Sequence, residues 1–135
     1  MDKDTKMDVE AFLLCDAATD QQGKLNVLGA FDTVFAKKVP VVHPACAVAA
    51  RIRFSKVEQG EHAVRICVID QDGKEVVPKL DGKVSVRVGD EAGSAAINLV
   101  LNFQRLKLPD YGEYSIDLAI DGQQKASLPF FVRTA

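Results

Sequence analysis

The sequence predicts an all-β protein, a single antiparallel β-sandwich of eight or nine strands in a Greek-key arrangement. Three observations carry this. Apolar residues alternate with a period of two in segment after segment, which places them on one face of a strand. Turn-forming Gly, Asp and Pro residues recur between these segments at spacings of roughly ten residues, the rhythm of a sandwich. No segment carries a convincing helical period, though short turns fit near 33–37 and 89–94.

Residues 1–7 form a polar tail, with Met7 as a candidate start, and residues 8–135 form the domain. The first strand spans 9–16. Its Ala11-Phe12-Leu13-Leu14-Cys15 run is apolar at both parities, so both faces require cover. A polar loop follows over 16–23, then a strand over 24–31 in which Gly29 marks a bulge or a close approach. Residues 36–44, with Pro40 and Pro44, suit a connection between sheets. The strand over 45–55 turns Val48, Ala50, Ile52 and Phe54 inward and Arg51 and Arg53 outward. The strand over 61–70 turns Val64, Ile66 and Val68 inward. Asp72-Gly73 and Asp81-Gly82 are hairpin signals, the second expected to set Val77 opposite Val86. After a loop over 89–93, a long strand over 95–106 faces Ile97, Leu99, Leu101 and Phe103 inward.

The last thirty residues organise the chain. Tyr114, Ile116, Leu118 and Ile120 share one face, and Leu128, Phe130 and Val132 share another. A two-residue loop at Asp121-Gly122 pairs odd with even positions and exposes one set. A three-residue loop, Gly122-Gln123-Gln124, keeps both inside and sets Leu118 opposite Leu128. Pro129 has no N–H to donate, which marks an edge strand. Before the hairpin stands Leu108-Pro109-Asp110-Tyr111-Gly112-Glu113-Tyr114. It resembles the tyrosine corner of Greek-key sandwiches, in which a Tyr hydroxyl binds back to the backbone of an arch. Tyr114 is the expected corner residue, with Pro109 and Gly112 shaping the bend.

Composition excludes several functions. The 135 residues carry a formal net charge of −2, with 47% hydrophobic and 27% charged residues. That balance gives no electrostatic case for nucleic acid or an anionic membrane as partner. No apolar run approaches the ~18–20 residues of a spanning helix. The Met1-Asp2-Lys3-Asp4-Thr5-Lys6 start has no apolar signal-peptide core. A cytoplasmic location is the expectation. Three cysteines, Cys15, Cys46 and Cys67, are an odd number, set among apolar neighbours, and read as buried free thiols.

Chemistry-bearing patterns are sparse. There is no Gly-x-Ser-x-Gly elbow, Walker loop or Gly-x-Gly-x-x-Gly, and no cofactor is expected. His43-Pro44-Ala45-Cys46 has an H-x-x-C spacing but lacks the second ligand pair of a structural zinc site. Asp16 with Asp20 and Asp70 with Asp72 lie on two expected loops. Converging aspartate loops supply the oxygens calcium takes, although Asp-x-Asp-Gly also suits a plain turn. Arg51, Arg53, Arg65, Arg87 and Arg105 all point outward and either gather on one sheet face or form a solvated surface. Val100, Ala119 and Phe131 fall on the non-core side of the last three strands. If these strands are neighbours, they form an apolar patch that a loop of this chain, a second copy or another protein covers.

The run Gly23-Lys24-Leu25-Asn26-Val27-Leu28-Gly29-Ala30-Phe31-Asp32, followed by His43-Pro44, Gly60-Glu61-His62, Asp70-Gln71-Asp72-Gly73-Lys74 and the 108–114 corner, resembles a family of short bacterial proteins of unknown function. The likeness runs from about Val9 to the end. It implies a small all-β domain with no assigned activity and no catalytic residues to carry over. The later half also resembles immunoglobulin-like and C2-like sandwiches, a likeness of fold. The leading expectation is a non-enzymatic module that binds a protein partner or a second copy of itself. The alternative is a calcium- or small-ligand-binding sandwich using the Asp-bearing loops.

Overall fold

The computed structural model describes residues 7–135. Of the expected tail, residues 1–6 lie outside the described residues, and Met7 packs on the core. Nine strands make up the described chain, with no α-helix. They are β1 (Asp8–Gln21), β2 (Lys24–Ala30), β3 (Thr33–Ala36), β4 (Val41–Ser55), β5 (Gly60–Asp70), β6 (Leu80–Val86), β7 (Ser94–Leu108), β8 (Gly112–Ile120) and β9 (Gln123–Thr134). They form two sheets, ordered β2-β1-β4-β7 and β3-β9-β8-β5-β6. One core lies between them, built from the alternating residues of both. Val48, Ala50, Ile52 and Phe54 of β4 meet Val64, Ile66 and Val68 of β5, Ile116 and Leu118 of β8, and Phe130 and Val132 of β9.

The first sheet is curled, and β1 does the curling. Its first half pairs with β4 as far as Cys15↔Ala47. Its second half pairs with β2 from Cys15↔Ala30 to Gln21↔Lys24. The expected polar loop over 16–23 is thus mostly strand, closed by a tight turn in which Gln22 (φ 53°) and Gly23 (φ 81°) take left-handed conformations. The hairpin folds back across the outer face of β4 and β7. Ala18, Leu25 and Val27 pack there on a second small core of Cys15, Ala47 and Ala49, with Val100 beside them. Gly29 (φ 69°) sits at the bend, where an added Cβ collides with the Asp16 carboxylate. This explains why β1 is apolar at both parities. Leu14 is buried in the main core and Cys15 in the second, while Leu13 stays exposed.

Four further expectations are corrected. The segment after β2 is strand, not turn. Thr33-Val34-Phe35-Ala36 pairs with β9 in parallel from Thr33↔Phe131 to Ala36↔Thr134, so the second sheet is mixed rather than wholly antiparallel. The supposed inter-sheet connection at Pro44 is the first part of β4, which pairs with β7 from Val41↔Leu108 onward. Pro44 is accommodated there because β1 reaches only to Ala47, leaving that end of β4 with one neighbour. Asp81-Gly82 lies inside β6 and pairs with Arg65 and Val64. It is therefore not a turn, and Val86 stands opposite Gly60, not Val77.

The fourth correction concerns the last hairpin. Its loop has two residues, Asp121 (φ 52°) and Gly122 (φ 81°), and Ile120 pairs with Gln123. The parity conflict is removed by a bulge, since Ala119 pairs with Gln124 but Leu118 with Ala126. Lys125 is the extra residue. Ile116 then meets Leu128, and Tyr114 meets Phe130. The faces are those expected, with the partners displaced by two residues. Pro129 also differs from expectation, because β9 is flanked by β8 and β3. However, β3 covers only Phe131 to Thr134. Phe131 N–H donates to Asp32 O at 2.8 Å, and Pro129, two residues back, aims its missing donor toward the same, open side.

Candidate functional site

The corner before β8 is built around two tyrosines. Tyr114 is buried. Its hydroxyl donates to Asp110 O at 2.7 Å and accepts from Asp110 N at 3.0 Å, closing the arch from both ends. Its ring stacks on Phe130 with centroids 5.1 Å apart. Tyr111 Oη donates to Ala36 O at 3.0 Å, tying the corner to β3. Pro109 follows the last residue of β7, and Gly112 (φ 129°) opens β8.

The four aspartates sit on separate sheets. Asp16 and Asp20 belong to β1, where Asp20 Oδ1 accepts from Asn98 Nδ2 at 3.0 Å. Asp70 ends β5 and Asp72 lies in the turn after it, where Asp70 Oδ1 accepts the N–H groups of Asp72 and Lys74, both at 2.9 Å. That is the turn role such residues commonly play. Among the described residues no group of three or more His, Cys, Asp or Glu side chains is arranged to hold a metal ion. His43 packs instead against Phe31, ring centroids 5.6 Å apart.

The cysteines are free, Cys15 and Cys46 buried and Cys67 half-buried. Burial raises all three thiol pKa values and pushes Cys46 up to about 11. Such thiols hold their proton at neutral pH, contrary to what a nucleophile needs.

The arginines do not gather. Arg51 and Arg53 lie on the outer face of β4 and share Glu10, at 3.1 Å and 2.5 Å. The hydrogen bond from Arg53, reinforced by Arg51, holds the Glu10 carboxyl below the usual carboxylate range. Arg51 also reaches Asn98 Oδ1 and Gly23 O, clamping the tip of the β1–β2 hairpin. Arg65 pairs with Asp81 on the other sheet at 2.6 Å.

A second latch escapes sequence reasoning. His62 Nδ1 stands 2.6 Å from Asp121 Oδ2, and Nε2 stands 2.5 Å from Glu58 O. Both ring nitrogens face acceptors, so both donate when the imidazole is charged. Burial against Phe54 pulls the His62 pKa down, but the Glu58 carbonyl and the Asp121 carboxylate raise it by more. The His62 hydrogen bond in turn holds Asp121 below its ordinary 3.8. A raised His pKa adds stability below its unfolded value of 6.5, which is lost as pH rises through the folded pKa. A lowered Asp pKa adds stability above 3.8, which is lost as pH falls through the folded pKa. The latch is therefore strongest between these two values. Urea midpoints should fall as pH rises past the folded His62 pKa, and H62Q should flatten that decline. Parallel pH profiles would remove the latch from the stability account.

The expected patch of Val100, Ala119 and Phe131 is divided. Val100 is on β7, in the other sheet, under the chain's own hairpin. Ala119 pairs with Gln124, while Phe131 pairs with Glu113. The offset of six positions from Glu113 to Ala119 separates them by roughly 20 Å along the strand. What surrounds Phe131 is a different surface. Parallel pairing sets Thr33 beside Phe131 and Phe35 beside Arg133, all on the outer face of β3 and β9. Phe35 is 65% exposed, and Phe131 is half-buried. The Arg133 guanidinium stands 4.6 Å from the centre of the Phe131 ring, a cation–π contact. Sequence reasoning reached Phe131 but missed Phe35 and Arg133, because the parallel β3–β9 pairing has no local signal.

Fold and surface together define a two-sheet all-β domain with an aromatic and arginine patch on one outer face. The chain belongs to a family of unknown function (DUF6941), whose model matches residues 10–133. No curated protein matches it. In fold it is similar to Pseudomonas fluorescens alkylpurine DNA glycosylase AlkC, solved bound to DNA containing an abasic site analogue. The TM-score is 0.55 and the identity 6%, over 95% of this chain and 30% of that one. At that identity the likeness is one of fold alone. No helix among the described residues is long and apolar enough to cross a membrane.

Proposed function

We propose that this protein is a non-enzymatic interaction module, a sandwich of the immunoglobulin-like or C2-like kind, that binds a protein partner through the outer face of β3 and β9. The observation that carries this is Phe35, 65% exposed, beside Phe131 with Arg133 stacked on it. Aromatic residues and Arg are the types that dominate binding energy at protein interfaces. A large aromatic side chain left in water on a well-packed sheet gains roughly 1.5–3 kcal/mol when covered. The rigid β-sheet beneath presents the patch with little ordering cost.

The test is affinity capture from lysate of the source organism, with wild-type and Phe35→Asp baits compared by mass spectrometry. Phe35 is exposed, so the variant keeps its fold, which thermal melting verifies. Recovery of one protein near one-to-one by the wild type, and its loss by Phe35→Asp, is the expected result. Equal recovery by both baits, or bait alone from both, would remove the partner from this face.

A further inference from the structure

The edges of the two sheets are unequal. β2 and β6 have seven residues each and β3 has four. β6 carries Asp81 and Lys83, and the open stretch of β9 carries Lys125 and Pro129. Short length, charge and proline are the ordinary protections of an edge strand against pairing with another chain. β7 lacks them. It runs for fifteen residues, and Ser94 to Gln104 is a run of eleven without a charge, a Pro or a Gly. β4 occupies one side of it along its whole length. Among the described residues, no backbone hydrogen bond from outside the sheet reaches its other side. Ile97, Leu99 and Leu101 pack on the main core yet stay half-buried, at the end of the sheet where no strand of the described residues pairs with β7.

We propose that this edge pairs with the same edge of a second copy, antiparallel about a two-fold axis at Leu99, joining two four-stranded sheets into one of eight. Two features select a second copy as occupant. First, the strand is complementary to itself. Pairing about Leu99 sets Ile97 opposite Leu101 of the partner subunit and Ala95 opposite Phe103 of the partner subunit. The apolar row stays on the core side throughout, as strand parity requires. Second, the charges flanking the run are asymmetric. Asp90 and Glu91 precede it, and Arg105 and Lys107 end it. Among the described residues neither Arg105 nor Lys107 has an acidic partner. The same two-fold lays the acidic turn that precedes Ser94, with Glu91, toward the basic end of the partner's strand, with its lysine and arginine, at each of the two ends of the interface. The left-handed Arg105 (φ 56°) ends the flat stretch and limits pairing to this run. Such a closed isologous contact yields a dimer and no filament. The inference takes its class from the interaction reading and names a partner on a different surface.

Native mass spectrometry and light scattering across a dilution series test it. The wild type is expected as two copies. Lys107→Glu should raise the dissociation constant roughly tenfold, since it turns two rim attractions into repulsions. Adding Glu91→Lys should restore it, and Phe35→Asp should leave it unchanged. Both charged sites are at the surface, so folding is not at stake. Hydrogen exchange should show residues 95–103 protected in the dimer and released on dilution. A wild type monomeric throughout, or a dimer insensitive to Lys107→Glu, would overturn the proposal. A dimer lost only in Phe35→Asp would move self-association to the β3–β9 face, overturning the β7 edge while keeping the interaction reading.

Discussion

Phe130→Ala is expected to lower the unfolding free energy by about 3–5 kcal/mol, the range for a large aromatic truncated in a core. Phe130 is 0% exposed, so the lost volume leaves a cavity with no access to water. The neighbours make the loss larger than the area alone implies. Phe130 stands opposite Tyr114 and stacks on its ring, and the Tyr114 hydroxyl holds both the N–H and the carbonyl of Asp110. Removing the phenyl ring frees Tyr114 to tilt and loosens the corner that carries the chain from one sheet to the other. Urea denaturation checks this, with Phe131→Ala as control. Phe131 is adjacent in sequence but lies on the outer face, so its truncation should cost about 1 kcal/mol. Equal losses at the two positions would contradict the placement of the core.

The second large effect is expected where side chains are smallest. Ala47 and Ala49 are both fully buried on the outer face of β4, roofed by Ala18, Leu25 and Val27 of the β1–β2 hairpin. A strand's outer face normally meets water. Here it meets another layer, packed directly on the two alanine methyl groups. Ala49→Leu should destabilise by about 1–3 kcal/mol through overpacking. Alternatively the hairpin lifts, which also disturbs the Asn98–Asp20 and Arg51–Gly23 hydrogen bonds at its tip. Hydrogen exchange at Leu25 and Val27 distinguishes the two, because lifting accelerates exchange there ahead of global unfolding. Ala17→Leu, on the exposed side of the same hairpin, should be within about 0.5 kcal/mol of wild type. A neutral Ala49→Leu with unchanged exchange would mean the hairpin does not pack on that face.

The site was partly legible in the sequence. Phe131 stood out because a Phe at an outward parity has no local reason to be there. Phe35 did not, since its short segment carries too few residues to show a period, and its neighbour Arg133 lies almost a hundred positions away. The aspartates illustrate the opposite error. Asp70 and Asp72 have the residue types of a metal loop, but the Asp70 carboxylate accepts two backbone N–H groups of its own turn.

Alternation determined which residues face the core. Tyr114, Ile116, Leu118 and Ile120 on β8, and Val48, Ala50, Ile52 and Phe54 on β4, lie inside as their spacing requires. The tyrosine corner was likewise written locally, because a hydroxyl four residues from its backbone partners needs no distant element. Tertiary structure alone decided what each face meets. A shift of two residues leaves every side chain on its own face, so alternation could not distinguish the Leu118–Leu128 pairing from the observed Leu118–Ala126, which the bulge at Lys125 sets. Nor could it show that β3 would run parallel to β9, or that Ala47 and Ala49 are covered because the β1–β2 hairpin bends at Asp16 and Gly29 and returns over them. A period of two reports burial, and burial is the same whether the covering element is a sheet, a hairpin or a second copy.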